Sequence, residues 1–264
     1  MNLKKKLNTF LLIRKNVKNS FLFTLSFFTS KCFNFVLIKK AYFKNGFIFQ
    51  IYSWSDINHL VEYIKGYYSI NNISFKPIVL DVGANTGDFS VAISKKANLI
   101  YAFEPLSEVY DVMVKNIALN KINNIVSYNL AVSDISSKQK MNLTKKDTSI
   151  AQLSKNGNVV VNCISWSDLY KLINCPKKID LLKLDTEGGE YSLLNDSHIL
   201  NFIDEIRMEL HLNGFENKIF LFLDLLERYN FILKDNSYIK LKDTISVDLN
   251  SNPKKTYDLI FYKK

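Results

Sequence analysis

The sequence is sparing with the residues that build covalent or metal frameworks. Three cysteines in 264 residues, Cys32, Cys163 and Cys175, lie far apart and form no Cys-x-x-Cys pair. That argues against a disulfide scaffold or a zinc site and suits a reducing, cytoplasmic compartment. The three histidines, His59, His198 and His211, are too scattered to suggest a metal cluster, and no metal is expected. Acidic residues are missing altogether from the first 44 positions, which hold ten Lys or Arg. There is no internal repeat and no long low-complexity linker.

The charge that remains is unevenly placed. The formal net charge is +10, from 35 basic and 25 acidic residues. Setting aside the ten basic residues of positions 1–44 leaves 25 of each sign, so the rest of the chain is formally neutral. A neutral body lacks the basic surplus of an extended phosphate-tracking groove, and no nucleic-acid partner is expected. Lys, Asn and Ile richness is also what an AT-rich coding sequence produces. Within the arm, residues 1–42, the uncharged run Asn19–Ser30 falls short of the roughly 20 apolar residues of a spanning helix, and Lys31 interrupts it. No convincing small-residue cleavage site of a signal peptide precedes Lys31. Leu3, Leu7, Phe10, Phe21, Leu25 and Phe28 recur at helical spacing. Residues 1–40 therefore read either as a basic amphipathic arm on the inner face of an anionic membrane, or as aromatics docked on the protein's own core or a second subunit.

Residues 43–75 come next. Phe43–Ile51 reads as two short strands around Asn45-Gly46, and Ser55 or Asp56 caps a helix carrying Ile57, Leu60, Val61 and Ile64. From residue 76 to 264 strands and helices alternate. Apolar strands are expected at Ile78–Val82, Leu99–Glu104, Ile125–Val132, Leu181–Asp185, Glu205–Leu210, Phe231–Lys234 and Tyr257–Tyr262. Helices are expected from the Gly87 turn to about Lys96, over Ser107–Leu119, from Ser167 or Asp168, and over Lys218–Tyr229. Such βα repetition predicts an α/β fold with a mainly parallel sheet and ligands at the carboxyl ends of its strands.

Strand Ile78–Val82 delivers Asp81 and then Gly83-x-x-x-Gly87 to a helix start, a turn where glycines let the backbone approach a ligand. Glu104 ends the next strand, 21 residues after Gly83, where an acid suits ribose hydroxyls. Asn85 and Ser90 stand where the dinucleotide glycine pattern needs glycine, and no Gly-x-x-x-x-Gly-Lys loop exists. A nucleoside without phosphates, S-adenosylmethionine, fits best. Asp81 would meet its ammonium through water or order the turn.

Five segments then carry a resemblance: Val79–Gly87, Ala102-Phe103-Glu104-Pro105, Asn116–Asn120, Ala131-Val132-Ser133-Asp134, and Leu182-Lys183-Leu184-Asp185-Thr186-Glu187-Gly188-Gly189-Glu190. In this order they resemble the FkbM family of methyltransferases across roughly residues 43–262. The resemblance implies a Rossmann-like seven-strand sheet with an antiparallel last strand, and O-methylation of sugars, glycolipids, polyketides or similar metabolites. It also implies that Glu104 binds ribose and that Asp134, with Val132 and Ser133, borders adenine. Trp166 replaces a smaller residue at a helix start, as core or as a wall of the acceptor pocket.

The second cluster carries the chemistry. Lys183 and Asp185 share one strand face, with Asp185 at the carboxyl end. Methyl transfer to a hydroxyl needs alignment and a proton acceptor. Asp185 is the first candidate for base or acceptor-orienting group, with Glu209 and His211 second. Lys183 serves as a catalytic cation or a structural ion pair; Glu187 and Glu190 contact acceptor, complement the helix dipole or sit at the surface. The expected activity is an S-adenosylmethionine-dependent O-methyltransferase acting on a glycan, glycolipid or related small molecule. The rivals are a nicotinamide-dependent oxidoreductase on a similar sheet and a non-catalytic membrane-associated binding domain.

Overall fold

The basic arm folds as two helices, α1 (Leu3–Asn16) and α2 (Ser20–Phe33), in the computed structural model. It describes residues 3–264 apart from 34, 71–72, 74, 145–146, 155, 235–237 and 252–255. Every fourth residue of α1 and its extension, Thr9, Ile13 and Val17, turns inward, as do Phe23 and Phe27 of α2. Ile13, Val17, Phe23 and Phe27 share one apolar cluster with the hairpin that follows. Among the described residues no helix is long and apolar enough to cross a membrane.

The hairpin is β1 (Lys40–Tyr42) against β2 (Ile48–Gln50). Its first strand begins before Phe43, where the sequence pattern starts it, because Phe43–Phe47 closes the loop through Phe43 N–H donating to the Phe47 carbonyl at 2.8 Å. Helix α3 (Trp54–Lys65) starts two residues earlier than expected. Ser53 is its cap, and Asp56 is the third helical residue, whose carboxylate accepts from the Tyr52 and Ser53 amides at 2.6 and 2.9 Å. Gly66 ends the helix in a left-handed conformation.

The main sheet is built from β3 (Ile78–Val82), helix α4 (Asp88–Ile93), β4 (Leu99–Phe103), helix α5 (Ser107–Leu119) and β5 (Ile125–Tyr128). Helix α4 stops at Ile93, short of the expected Lys96, and a turn completes it. The expected strand Ile125–Val132 is two strands. Asn129 breaks it by donating from Nδ2 to the Glu104 and Pro105 carbonyls at 2.9 Å, so β6 (Ala131–Ser133) leaves for a second sheet. There it joins β7 (Ser137–Thr144), β8 (Asp147–Leu153) and β9 (Val159–Ser165) in the order β6-β9-β7-β8.

Helix α6 (Trp166–Leu172) follows, capped by Ser165, which accepts from the Asp168 amide at 3.1 Å. Trp166 is fully buried and donates to Ser192 Oγ at 2.7 Å, so it is core. The chain returns to the main sheet as β10 (Leu181–Leu184), β11 (Glu205–His211), helix α7 (Ile219–Arg228), β12 (Phe231–Leu233), helix α8 (Tyr238–Ser251) and β13 (Thr256–Lys263). Helix α8 has no counterpart in the sequence reading; Leu241 and Ile245 are buried and Leu249 packs against the same core, each four residues apart. The order β12-β13-β11-β10-β3-β4-β5, with β13 antiparallel to both neighbours and the other pairings parallel, is the expected α/β sheet.

Two asparagines one turn apart on α5 fix the hairpin to this sheet. Asn116 accepts from the Gln50 amide at 2.7 Å and donates to the Thr86 carbonyl at 2.8 Å. Asn120 accepts from the Ile48 amide at 2.8 Å and returns a bond to the Ile48 carbonyl at 2.7 Å. The free edge of β2 is thereby satisfied by side chains. Asn116 is completely buried, so Asn116→Ala leaves an amide and a carbonyl without partners and costs about 2–4 kcal/mol. Urea unfolding measures this; a loss below about 0.5 kcal/mol, the scale of an ordinary surface change, would remove the clamp from the account.

Candidate active site

A cleft of about 710 Å³ runs along the carboxyl ends of β3, β4, β10 and β11, where an open α/β sheet binds its ligands. The glycine turn forms its floor. Gly83 and Gly87 both have φ +78°. A Cβ on Gly83 would lie 1.8 Å from the Asp185 carbonyl oxygen, and one on Gly87 would lie 2.7 Å from Met113 Cγ. The glycines are thus required by chain packing: one lets the end of β10 close on the turn, the other seats α4 against α5. Asn85, at φ +49°, presents its amide to Glu104 Oε2 at 3.0 Å.

Glu104 is buried beside that turn. Its Oε1 accepts from the Leu106 amide at 2.9 Å and its Oε2 from Asn85. Burial pushes its pKa up to about 7, against the pull of the Leu106 and Asn85 amides and of Lys183. Each oxygen keeps lone-pair capacity for a further donor, and the carboxylate lines the cleft. Leu106, Leu130 and Val132 provide apolar wall close by. Ser133 and Asp134 do not line the cleft. Ser133 Oγ donates to Asp134 Oδ1 at 3.1 Å, and Asp134 Oδ2 accepts from Asn195 at 2.6 Å.

Asp81 is fully buried and does not reach the cleft. It accepts from Ser90 Oγ at 2.6 Å and faces Lys183 Nζ at 3.5 Å, so it orders the turn. Burial raises its pKa, and Lys183 and Ser90 oppose that. Lys183 Nζ also donates to the Gly83 carbonyl at 3.1 Å and lies 3.4 Å from Asp185 Oδ2. Its pKa is raised: burial disfavours the charge, but Asp185, Asp81 and Asp88 outweigh it. Asp185, half-exposed, stands in the cleft with Glu187 and Glu209.

Two predicted rim residues have other duties. His211 places Nε2 3.2 Å from Glu187 and Nδ1 3.1 Å from Glu190. Burial works against its charge, yet the two carboxylates prevail and hold its pKa at about 11. A ring already protonated is no proton acceptor at neutral pH, which takes His211 out of the base role. Glu190 is fully buried and accepts from the Gly188 and His211 amides and Thr186 Oγ1 at 2.8, 3.0 and 3.1 Å, so it shapes the turn and does not meet an acceptor. Asp185, Glu209 and His211 bring ligand-type atoms within 4.8 Å of one another, but both nitrogens of His211 already face carboxylates.

Several lining residues escaped sequence reasoning. His59 and Glu62 come from α3, Tyr67 and Tyr68 from the loop after it, and Asp88, Arg207 and Asp258 complete that wall. Tyr68 donates to Asp88 Oδ2 at 2.5 Å. His59 is shifted upward: burial opposes its charge, and Asp88, Asp56 and Glu62 overcome this. None of these residues belongs to a motif, and only the fold brings α3 to the cleft.

The donor set fits S-adenosylmethionine. Seven carboxylates line the cleft against Lys183, Arg207 and His59, and the Lys183 ammonium is already shared by two carboxylates. Such a lining repels a pyrophosphate and accommodates a sulfonium cation and an ammonium. Glu104 would hold the ribose hydroxyls and Val132 would flank the adenine.

Ionised Glu104 is the better acceptor for hydroxyl donors. Affinity for S-adenosylhomocysteine therefore rises with pH through about 7, with proton release on binding measurable by calorimetry in buffers of different ionisation enthalpy. Glu104→Gln flattens that profile; a pH-independent affinity in the wild type would refute the assignment. Lys183→Met leaves Asp81 buried without its counter-charge and costs about 3–5 kcal/mol. Adding Asp81→Asn restores part of it in denaturant melts, and strict additivity of the two changes would deny the pairing.

Comparison with known proteins shows which family the chain resembles. The profile of the Methyltransferase FkbM domain matches residues 81–233. The methyltransferase sdnD of Sordaria araneosa is 44% identical over 55 residues, 20% of this chain and 21% of that protein, so the match spans about a fifth of that relative. Among solved structures, an rRNA methylase from Streptococcus thermophilus aligns at TM-score 0.42 and 12% identity, covering 72% of this chain and 89% of its own. TYW2 of M. jannaschii, solved in complex with AdoMet, aligns at 0.41 and 16%, covering 87% and 89%. With the domain profile spanning more than half of the 264 residues, the chain belongs to the FkbM methyltransferase family and uses S-adenosylmethionine.

Proposed function

We propose that the protein methylates a hydroxyl group of a glycan, glycolipid or related polyhydroxylated metabolite. The observation that supports this reading most directly is the pairing of Asp185 and Glu209 on the acceptor side of the cleft. S-adenosylmethionine, when bound, supplies an electrophilic methyl group whose leaving thioether needs no acid. The protein's own task is to hold a hydroxyl in line and relieve it of its proton.

The two carboxylates divide that task. Asp185 has its charge compensated by Lys183 at 3.4 Å, which suits an acceptor of the hydroxyl's hydrogen bond. Glu209 is held above the ordinary carboxylate range by burial and by Asp185, with Thr256 opposing. A raised pKa makes it the stronger base once ionised, so Glu209 receives the proton. Carboxylates accept hydrogen bonds and donate none when charged. A wall bearing Glu62, Glu209 and Asp258 beside the rings of Tyr67 and Tyr68 therefore matches the hydroxyls and C–H faces of a sugar.

The test is incubation of the protein with methyl-labelled S-adenosylmethionine and fractionated polar and lipid extracts, followed by mass spectrometry. The expected product carries one new methyl on oxygen in a sugar-containing molecule. Label on nitrogen or carbon in the principal product would overturn the reading. With that acceptor in hand, Glu209→Gln lowers kcat by about 10²–10⁴-fold while S-adenosylhomocysteine affinity stays within about threefold, under 1 kcal/mol. A wild-type kcat would exclude Glu209 as the base.

A further inference from the structure

Helices α1 and α2 are packed on one face only. Thr9, Ile13 and Val17 are buried on the α1 side, and Phe23, Ser26, Phe27 and Ser30 on the α2 side. The opposite faces also carry large apolar side chains. Leu7, Phe10 and Leu11 project from α1, exposed by 57%, 37% and 52%. On α2, Phe21, Leu22, Leu25 and Phe28 are exposed by 78%, 47%, 43% and 40%. A helix on the surface of a globular protein pairs an apolar inner stripe with a polar outer one. Here Lys31 is the only charged residue between Ser20 and Phe33, and a contiguous exposed apolar face marks an interaction surface.

The charge around that face selects its occupant. Arg14, Lys15, Lys18, Lys31 and Lys39 are all exposed, and the first 44 residues hold ten basic side chains and no acid. A second copy of the same face would oppose cation to cation. An anionic lipid surface supplies both the apolar layer and the opposite charge. Neither helix spans: each has 14 residues, about 21 Å at 1.5 Å per residue, against about 30 Å of hydrocarbon. We propose that the outer face of α1 and α2 docks on the surface of an anionic bilayer, with the helices lying in the interface plane.

Because the inner faces of both helices belong to a shared core, the arm is tested by substitution in the full-length protein. Flotation uses vesicles of phosphatidylcholine alone and of phosphatidylcholine with phosphatidylglycerol, at low and high salt. The wild type floats with the anionic vesicles at low salt, about tenfold less with neutral ones, and loses binding as salt screens the charge. Phe21→Ser/Leu25→Ser/Phe28→Ser and Arg14→Gln/Lys15→Gln/Lys18→Gln each reduce flotation about tenfold, while S-adenosylhomocysteine affinity reports that the fold is intact. Equal flotation of the apolar triple variant and the wild type would overturn the proposal. So would a wild type that stays in the bulk phase, or a lipid-free dimer in sedimentation that the same variant dissolves.

Discussion

Lys183 stands where β10 and β3 run parallel, directly opposite Asp81 in the register, and its ammonium is shared between Asp81 and Asp185. Burying Lys183 and Asp81 is costly unless they neutralise each other. Their pairing meets that condition, and Nζ also donates to the Gly83 carbonyl. The consequence reaches both halves of the site. The glycine turn is drawn against the end of β10, close enough that only glycine fits at position 83. Asp185 is held at the rim with part of its carboxylate open to the cleft. The glycine turn and the rim carboxylate Asp185 are therefore positioned by one cation, and a shift of either strand would move both.

The remaining carboxylates are sorted by what surrounds them. Glu104 is buried but bonded only by two backbone amides, so it retains capacity for a ligand and sits near neutrality. Glu190 is equally buried, but its oxygens are consumed by two amides, a hydroxyl and an imidazolium, which makes it structural. His211 is the hinge of this sorting. By bridging Glu187 and Glu190, it offsets part of their charge and lets two acids occupy the turn after β10 beside Asp185 and Glu209. Similar residue types thus acquire different roles through burial and partner number.

These distinctions set the limit of what one sequence makes legible. The strands β3, β4, β10, β11 and β13 and the pairing of Glu104 with the glycine turn follow from apolar periodicity and motif spacing, and the antiparallel direction of β13 follows from the family resemblance. Long-range partners do not. Nothing in the local pattern tells Glu187 from Glu190, because the difference is the burial of Glu190 and the Gly188 and His211 amides that it accepts from. The motif draws Ser133 and Asp134 to the cofactor, but of that segment Ala131 and Val132 line the cleft and Ser133 and Asp134 do not. The end of β5 was hidden because a side chain, Asn129, terminates it from across the sheet edge. Helix α8 escapes the reading although Leu241, Ile245 and Leu249 recur every fourth residue, because Ile239 and Val247 fall off that stripe and blur its period.

Helix α3 shows why the segment before the main sheet belongs to the site. Ile57, Leu60 and Val61 pack into the cluster formed by the arm and hairpin, whereas His59 and Glu62 line the cleft. The helix is one side chain thick between those two environments. Its position is fixed from behind by Phe23, Phe43 and Phe49, all completely or almost completely buried. The Asn116 and Asn120 clamp sets the same hairpin against α5 and the glycine turn. Loss of packing behind α3 would therefore displace His59 and Glu62 from the cleft wall while leaving Glu104 and its amides in place. Glu104 and the glycine turn are held by the sheet and α5, whereas His59 and Glu62 depend also on what the N-terminal helices hold against α3.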